Sequence, residues 1–320
     1  MLDRKFVHDC VVKEYKRGCL QMFIRKIAKL ILYNRKINPI VRLLIRPLSP
    51  LISIKLAVLL PVLCKFSVKL PEGYRLTLEE SKGQDTIARI LYWKGFKGYE
   101  YETARLFFAL SRQSKVILDV GANIGYYTFL AALKNSSIRV YTFEPVPRVY
   151  TQLKRNVELN KCSNVETVCS AVTSFNGDIM LYIPKSDIPV SSSTLKGFRE
   201  SEEEYNVPAI TLDSFVNEKH IIVDLMKIDT EAIECDVLEG SQIFIQRDRP
   251  VIFCEVLKDR TEKALEEFFH NRGYVYYWIT VQGLIRQESI EGDGTYKYNN
   301  YLFCPKEKAA DIETKFGVRK

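Results

Sequence analysis

The sequence predicts an α/β protein with a mostly parallel central sheet, helices on both faces, and a basic helical N-terminal extension. Three observations predict it. From residue 115 onward, short apolar runs alternate with helix-length amphipathic stretches. Several of the runs are apolar throughout, as expected of strands buried on both faces. Charge is partitioned: residues 1–70 carry 15 Lys/Arg against 3 Asp/Glu, and the remaining 250 residues carry 32 against 36. With 320 residues, 47% of them hydrophobic, the chain can bury a large core, which excludes wholesale disorder.

Residues 1–90 make up the extension. MLDRKFVHDC is charged and lacks the apolar centre of a secretory leader, so a cytoplasmic location is expected. In CLQMFIRKIAKLILY, Leu20, Phe23, Ile24, Ile27 and Ile31 fall at helical spacing, with Arg25, Lys26 and Lys29 mostly off that stripe. Such a helix suits either a membrane interface or packing on the domain. The most apolar stretch, PLSPLISIKLAVLLPVLC at 47–64, holds Lys55, Pro47, Pro50 and Pro61, which argues against a spanning helix. A basic arm of this kind suits peripheral contact with an anionic membrane. None of the eight cysteines forms a Cys-x-x-Cys pair, so free thiols in a reducing compartment are expected.

Residues 91–305 carry the alternation, and 306–320 form a tail. KVILDVG (115–121) is a strand leading into the helix IGYYTFLAALKN. RVYTFEP (139–145) leads into PRVYTQLKRNVELN, where Val149, Leu153 and Val157 share a face. VETVCSAV (165–172) is a third strand and GDIMLYIP (177–184) an extra one. Residues 185–206, Ser-rich and then acidic, read as a long polar loop placed to act as a lid. IIVDLMKID (221–229) leads into IECDVLEGSQIFIQRD. PVIFCEV (250–256) leads into DRTEKALEEFFHNRG, with Asp259 and Glu262 at capping-box spacing and Gly273 as a stop. YVYYWIT (274–280) and YLFCP (301–305) close the sheet.

The turn after the first of these strands, VGANIG, has a Gly-x-x-x-Gly spacing. Gly121 can take a backbone geometry closed to other residues, and Gly125 lets the helix start approach a ligand. A dinucleotide site needs a middle glycine for its pyrophosphate, and Ala122 and Asn123 stand there instead. Acidic residues end the strands: Asp119, Glu144, Asp229 with Glu231, and Glu255. A carboxylate at Glu144 suits both hydroxyls of a ribose, and one at Asp119 suits a cation and repels a phosphate. A ligand with a ribose, no phosphate and a positive end matches this set, and S-adenosylmethionine is one.

LDVGANIGYYTF, FEPVPRVYTQLKRNVELN, AVTSFNGD, TLDSF, LMKIDTEAIECDVLEG and RPVIFCEV, in that order, resemble the FkbM family of methyltransferases. GYEYET upstream and NNYLFCP downstream resemble its flanks, so the likeness runs from about Gly98 to Pro305. It implies a Rossmann-like class I methyltransferase fold and O-methylation of small molecules or sugars. One position departs from the family: its Glu-Gly-Ala-Glu is Glu231, Ala232, Ile233 and Glu234 here.

Asp119, Gly121, Ala122, Asn123 and Gly125 are then expected at the methionine portion of the cofactor, Glu144 at the ribose, and Ser170 and Ala171 near the adenine. An alcohol becomes a better nucleophile when a base accepts its proton, and Asp229, Glu231 and Glu255 are the candidates, Asp229 on the cofactor side and Glu231 on the acceptor side. Paired carboxylates can also take a divalent cation, but no metal is expected. His8, His220 and His270 offer no evident base; Tyr126 and Tyr127 are expected to divide between site and core. A glycan or small-molecule acceptor is expected. A nucleic acid is not, because the catalytic region is net acidic and carries no base-methylation signature. A non-catalytic scaffold is the competing reading, supported by Ala232 alone.

Overall fold

A computed structural model describes residues 31–80, 82, 85–133, 135–184, 202–230 and 233–319. In chain order the strands are β1 (Cys64–Lys69), β2 (Arg75–Glu80), β3 (Val116–Val120), β4 (Arg139–Phe143) and β5 (Val165–Val168). Next come β6 (Ala171–Val172), β7 (Gly177–Pro184), β8 (Glu202–Ile210), β9 (Leu225–Ile228) and β10 (Val251–Glu255). The last four are β11 (Tyr274–Thr280), β12 (Gly283–Gln287), β13 (Asn300–Pro305) and β14 (Val318–Arg319).

Nine of these form one sheet in the order β14-β12-β11-β13-β10-β9-β3-β4-β5. Pairing is parallel from β5 through β4, β3 and β9 to β10, and β13 enters antiparallel between β10 and β11. From β3 the chain steps outward to β4 and β5, then returns to lay β9 on the other side of β3. The resulting crevice at the carboxyl ends of β3 and β9 is the topological switch point, where open α/β sheets bind their ligands.

Both faces of the sheet are covered. Ile117 of β3 belongs to one core, with Phe107, Phe129 and Phe253, whereas Leu118 and Val120 belong to the other, with Phe143, Phe244 and Ile252. This double burial is why the strands are apolar throughout. The β1–β2 hairpin packs Val68, Leu70, Leu76 and Leu78 into the first of these cores. Asn160 clamps it to the Pro147–Asn160 helix, accepting the Thr77 N–H at 2.8 Å and donating to the Thr77 carbonyl at 2.7 Å.

Several elements differ from the sequence reading. The stretch 165–172 splits, because β5 closes the main sheet while β6 joins β7 and β8 in a separate three-stranded sheet. Residues 202–206 are strand, not loop: β8 pairs antiparallel with β7 from Pro184↔Glu202 to Gly177↔Ala209. Tyr205, Val207 and Ala209 alternate inward there, and β7 supplies the ladder partner that a window of acidic residues does not reveal. Residues 185–201 lie outside the described residues, as do Leu20, Phe23, Ile24 and Ile27. Strand β9 starts only at Leu225, since the Asp224 carboxylate is drawn off to accept the N–H groups of Lys115 and Val116. The helix after β10 starts at Glu262 with Thr261 as its N-cap residue, and Asp259 takes a left-handed φ of 60°. Of the capping box only Glu262 acts, accepting the Asp259 N–H. All six described cysteines are free thiols. Among the described residues no helix is long and apolar enough to cross a membrane.

Candidate active site

The turn after β3 is built by backbone. The Phe143 carbonyl at the end of β4 accepts the N–H groups of both Gly121 and Ala122 at 3.0 Å, and the Val120 carbonyl accepts the Asp229 N–H at 3.0 Å. Gly121 sits at φ +79°, and a Cβ there would lie 1.9 Å from the Asp229 carbonyl oxygen. It is glycine because two strand ends meet at the switch point, a demand separate from any ligand. Gly125, at φ +93°, does not line the cavity. A Cβ there would meet Leu153 and Phe129 at 2.7 Å, so its smallness serves helix packing rather than ligand approach.

A cavity opens at this point, lined by Ile87, Tyr99, Glu100, Asp119, Asn123, Tyr126, Tyr127, Asp229 and Glu255 together with the Gly121–Ala122 backbone. Asp119 is 2% exposed and accepts a hydrogen bond from the Thr128 hydroxyl at 2.5 Å. Burial pushes its carboxyl up to about 6, against that hydrogen bond and the field of Lys227. Tyr126 and Tyr127 are both buried members of the first core and both line the cavity, so they do not divide between site and core.

Beneath the cavity lies a charge network that sequence reasoning missed. Lys227 is fully buried in β9, its Nζ 3.0 Å from Asp229 Oδ2, 3.1 Å from Asn300 Oδ1 and 5.1 Å from the centre of the Tyr127 ring. Burial pulls the ammonium down, but Asp229 and Glu100 outweigh it and hold it above the ordinary lysine range. Glu100 caps the Tyr101–Ser111 helix in a left-handed conformation (φ 41°) and accepts the Tyr127 hydroxyl at 2.5 Å. Burial raises its carboxyl, while Lys227 is the chief influence holding it down. Glu255 accepts from the Asn299 amide at 3.3 Å. A lone lysine inside the apolar run LMKI was the available signal, because lysine is almost never fully buried unless paired. Glu100 stood in the quoted GYEYET with no spacing rule to single it out.

Glu144 lies beside the cavity rather than in its lining, joined to it through Asn123. Its carboxylate accepts the N–H groups of Asn123 and Val146, each at 2.9 Å. Burial pushes it up to about 7 against those two bonds. Ser170 is buried just past β5, and the Val168 carbonyl that ends β5 accepts the Glu144 N–H at 3.1 Å. Ala171 is packed in a satellite core with Val146, Val149 and Val207, away from the cavity lining. Glu231 and Ala232 lie outside the described residues. Among the described residues no group of three or more His, Cys, Asp or Glu side chains is arranged to hold a metal ion.

Four carboxylates and one buried ammonium make this a cation-seeking site that disfavours phosphate. Together with the 5-4-3-9-10-13-11 strand order, whose antiparallel β13 is inserted between β10 and β11, this defines the class: a Rossmann-like methyltransferase fold. The profile "Methyltransferase FkbM domain" matches residues 119–276. Residues 119–276 are thus similar to the FkbM family of methyltransferases. It is 28% identical over 142 residues to "Methyltransferase 1" of Beauveria bassiana, covering 39% of this chain and 57% of that protein. It is 24% identical over 156 residues to the "31-O-demethyl-FK506 methyltransferase FkbM" of Streptomyces tacrolimicus, covering 40% of this chain and 60% of that one. The chain thus spans less than two thirds of the length of these two relatives. Among solved structures, a methyltransferase FkbM from Methylobacillus flagellatus aligns at 14% identity and a TM-score of 0.41, over 60% of this chain and 43% of that chain.

Proposed function

We propose that the chain is an S-adenosylmethionine-dependent methyltransferase that methylates a hydroxyl of a glycan, a glycolipid or another small molecule. The observation that carries this reading is a glycine-closed turn at the switch point, surrounded by buried carboxylates instead of phosphate-binding donors. An ionised carboxylate offers about four lone-pair directions. Glu144 spends two of them on backbone N–H groups, which leaves two for the hydroxyls of a ribose. The negative cavity suits a sulfonium and an ammonium. When bound, the cofactor supplies an electrophilic methyl group.

The chain's own residues do the rest. Tyr126 and Tyr127 close one wall against water, which strengthens every charge interaction inside. Lys227 holds Asp229 by ion pairing and so fixes the direction of a carboxylate on the cofactor side. Glu255 ends the neighbouring strand and lines the cavity, which supports it as the base that takes the acceptor's proton; the sequence reading favours Glu231 for that role, with Glu255 as a third candidate. Transfer to oxygen is supported by the name of the Streptomyces relative, a methyltransferase acting on a 31-O-demethyl compound.

Calorimetric titration with S-adenosylmethionine tests the proposal. Wild type should bind saturably, and Glu144→Ala should weaken binding at least tenfold, about 1.4 kcal/mol. Glu255→Gln should keep cofactor affinity and lose turnover once an acceptor is found. A folded wild type that binds no cofactor would sink the enzyme reading and promote the scaffold.

A further inference from the structure

Residues 31–60 contain five Lys/Arg and no Asp or Glu, and their side chains are arranged inside out. In the Asn38–Ile45 helix the polar residues face the protein. Asn38 is 1% exposed and donates to the carbonyls of Leu32 and Pro61 at 2.8 and 3.0 Å, and Arg42 reaches Cys64 and Tyr92. Ile40, Leu43 and Leu44, at i, i+3 and i+4, face outward at 59, 73 and 70% exposure. Leu48 and Leu51 in the next turn and Leu59 in the Ile54–Leu59 helix are exposed as well. Single exposed leucines are ordinary, but these six exposed leucines and isoleucines between Ile40 and Leu59 are not.

This segment is mounted firmly. From the Thr86–Lys94 helix, Arg89 donates to the Val58 carbonyl, Trp93 to that of Leu60, and Lys94 to those of Ser49 and Pro50. Ala57 and Ile52 are buried against Trp93. The backbone polar groups are therefore satisfied inward, and the apolar side chains are held outward. Arg35, Lys36, Arg46 and Lys55 are exposed along the same segment.

We propose that this face docks on an anionic phospholipid bilayer, with the leucines and isoleucines entering the acyl boundary and the cations meeting lipid headgroups. Positive charge without any acidic residue, combined with an outward apolar stripe, supplies both signals that peripheral binding requires. A soluble protein partner would need only the apolar half. The geometry also links the face to the cavity: Ile87 lines the cavity, and Trp93 supports the docking face six residues later, about 9 Å along one helix. Docking would hold the cavity beside the lipid surface, where a lipid-anchored hydroxyl would meet it. That consequence rests on the proposed methyl transfer, whereas docking itself does not.

Flotation of the full chain with vesicles tests docking without any turnover. At about 0.15 M salt, the chain should float with phosphatidylcholine vesicles containing about 30% phosphatidylserine and only weakly with pure phosphatidylcholine. The triple variant Leu43→Ser, Leu44→Ser, Leu51→Ser should lower partitioning at least tenfold, and so should the double variant Lys36→Glu, Lys55→Glu. These side chains are exposed, so an unchanged circular-dichroism melt is expected of both variants. No flotation of wild type, or equal flotation of the serine variant, overturns the proposal. A wild-type dimer that the serine variant dissociates assigns the face to a second copy and overturns it as well.

Discussion

Lys227→Met removes the one cation of the buried network while keeping its aliphatic volume. The ammonium is fully buried and lies 3.0 Å from Asp229 Oδ2. At an effective dielectric of about 20, a pair at that distance attracts by roughly 5 kcal/mol. Methionine avoids the cost of desolvating an ammonium, but it leaves Glu100 and Asp229 facing each other with no counter-charge. Breaking a buried pair on one side costs about 3–5 kcal/mol, which for a domain of this size lowers Tm by about 6 °C or more. The deficit should depend on pH. Lys227 is the chief influence holding the buried Glu100 carboxyl down, so its loss raises that carboxyl further. A carboxyl raised in the folded state contributes stability that is full below its unfolded value and lost as pH rises through its folded value. The difference between variant and wild type should therefore be small near pH 5 and large near pH 8. Urea denaturation at both pH values measures it. A deficit under about 1 kcal/mol, or one equal at both pH values, would refute a charge-balancing role for Lys227.

Cofactor affinity should rise with pH, because Glu144 and Asp119 are pushed up to about 7 and about 6 by burial and the ligand needs both ionised. At pH 6 about one Glu144 in ten and about half of Asp119 are ionised, so Kd should be about twentyfold weaker than at pH 8, and Glu144→Gln should leave only the roughly twofold step from Asp119. A flat titration across this range would count against both assignments. The ligand-free fold should show the opposite trend, losing stability as pH rises through the same two values. Gly121→Ala should cost more than about 3 kcal/mol in denaturant unfolding, since it adds left-handed strain and a backbone contact at 1.9 Å. Wild-type stability in that variant would mean that β3 and β9 do not meet as described.

Local chemistry was legible in the sequence because it is carried by neighbours. VILDVGANIG announces a buried strand, a tight turn and a helix start within ten residues. A carboxylate 25 residues after Asp119, following another apolar run, places Glu144 at the next strand end. Both are short-range patterns, and the parallel sheet follows from repeating them, since strands covered on both faces must be apolar throughout. The same patterns misled where the deciding partner was remote. An acidic run at 202–206 reads as loop until β7 offers a ladder, and Gly125 looks like a ligand glycine until Leu153 is seen against it.

Only the tertiary structure brought Glu100, Lys227 and Asn300 together, from three segments more than 70 residues apart, because charge balance in a buried site depends on through-space distance and leaves no periodic trace. It alone also turned the residues of 38–59 inside out. The composition determined that this segment is apolar and basic. Which side faces outward was decided by Asn38, Arg89, Trp93 and Lys94, whose hydrogen bonds to distant backbone hold the polar side inward.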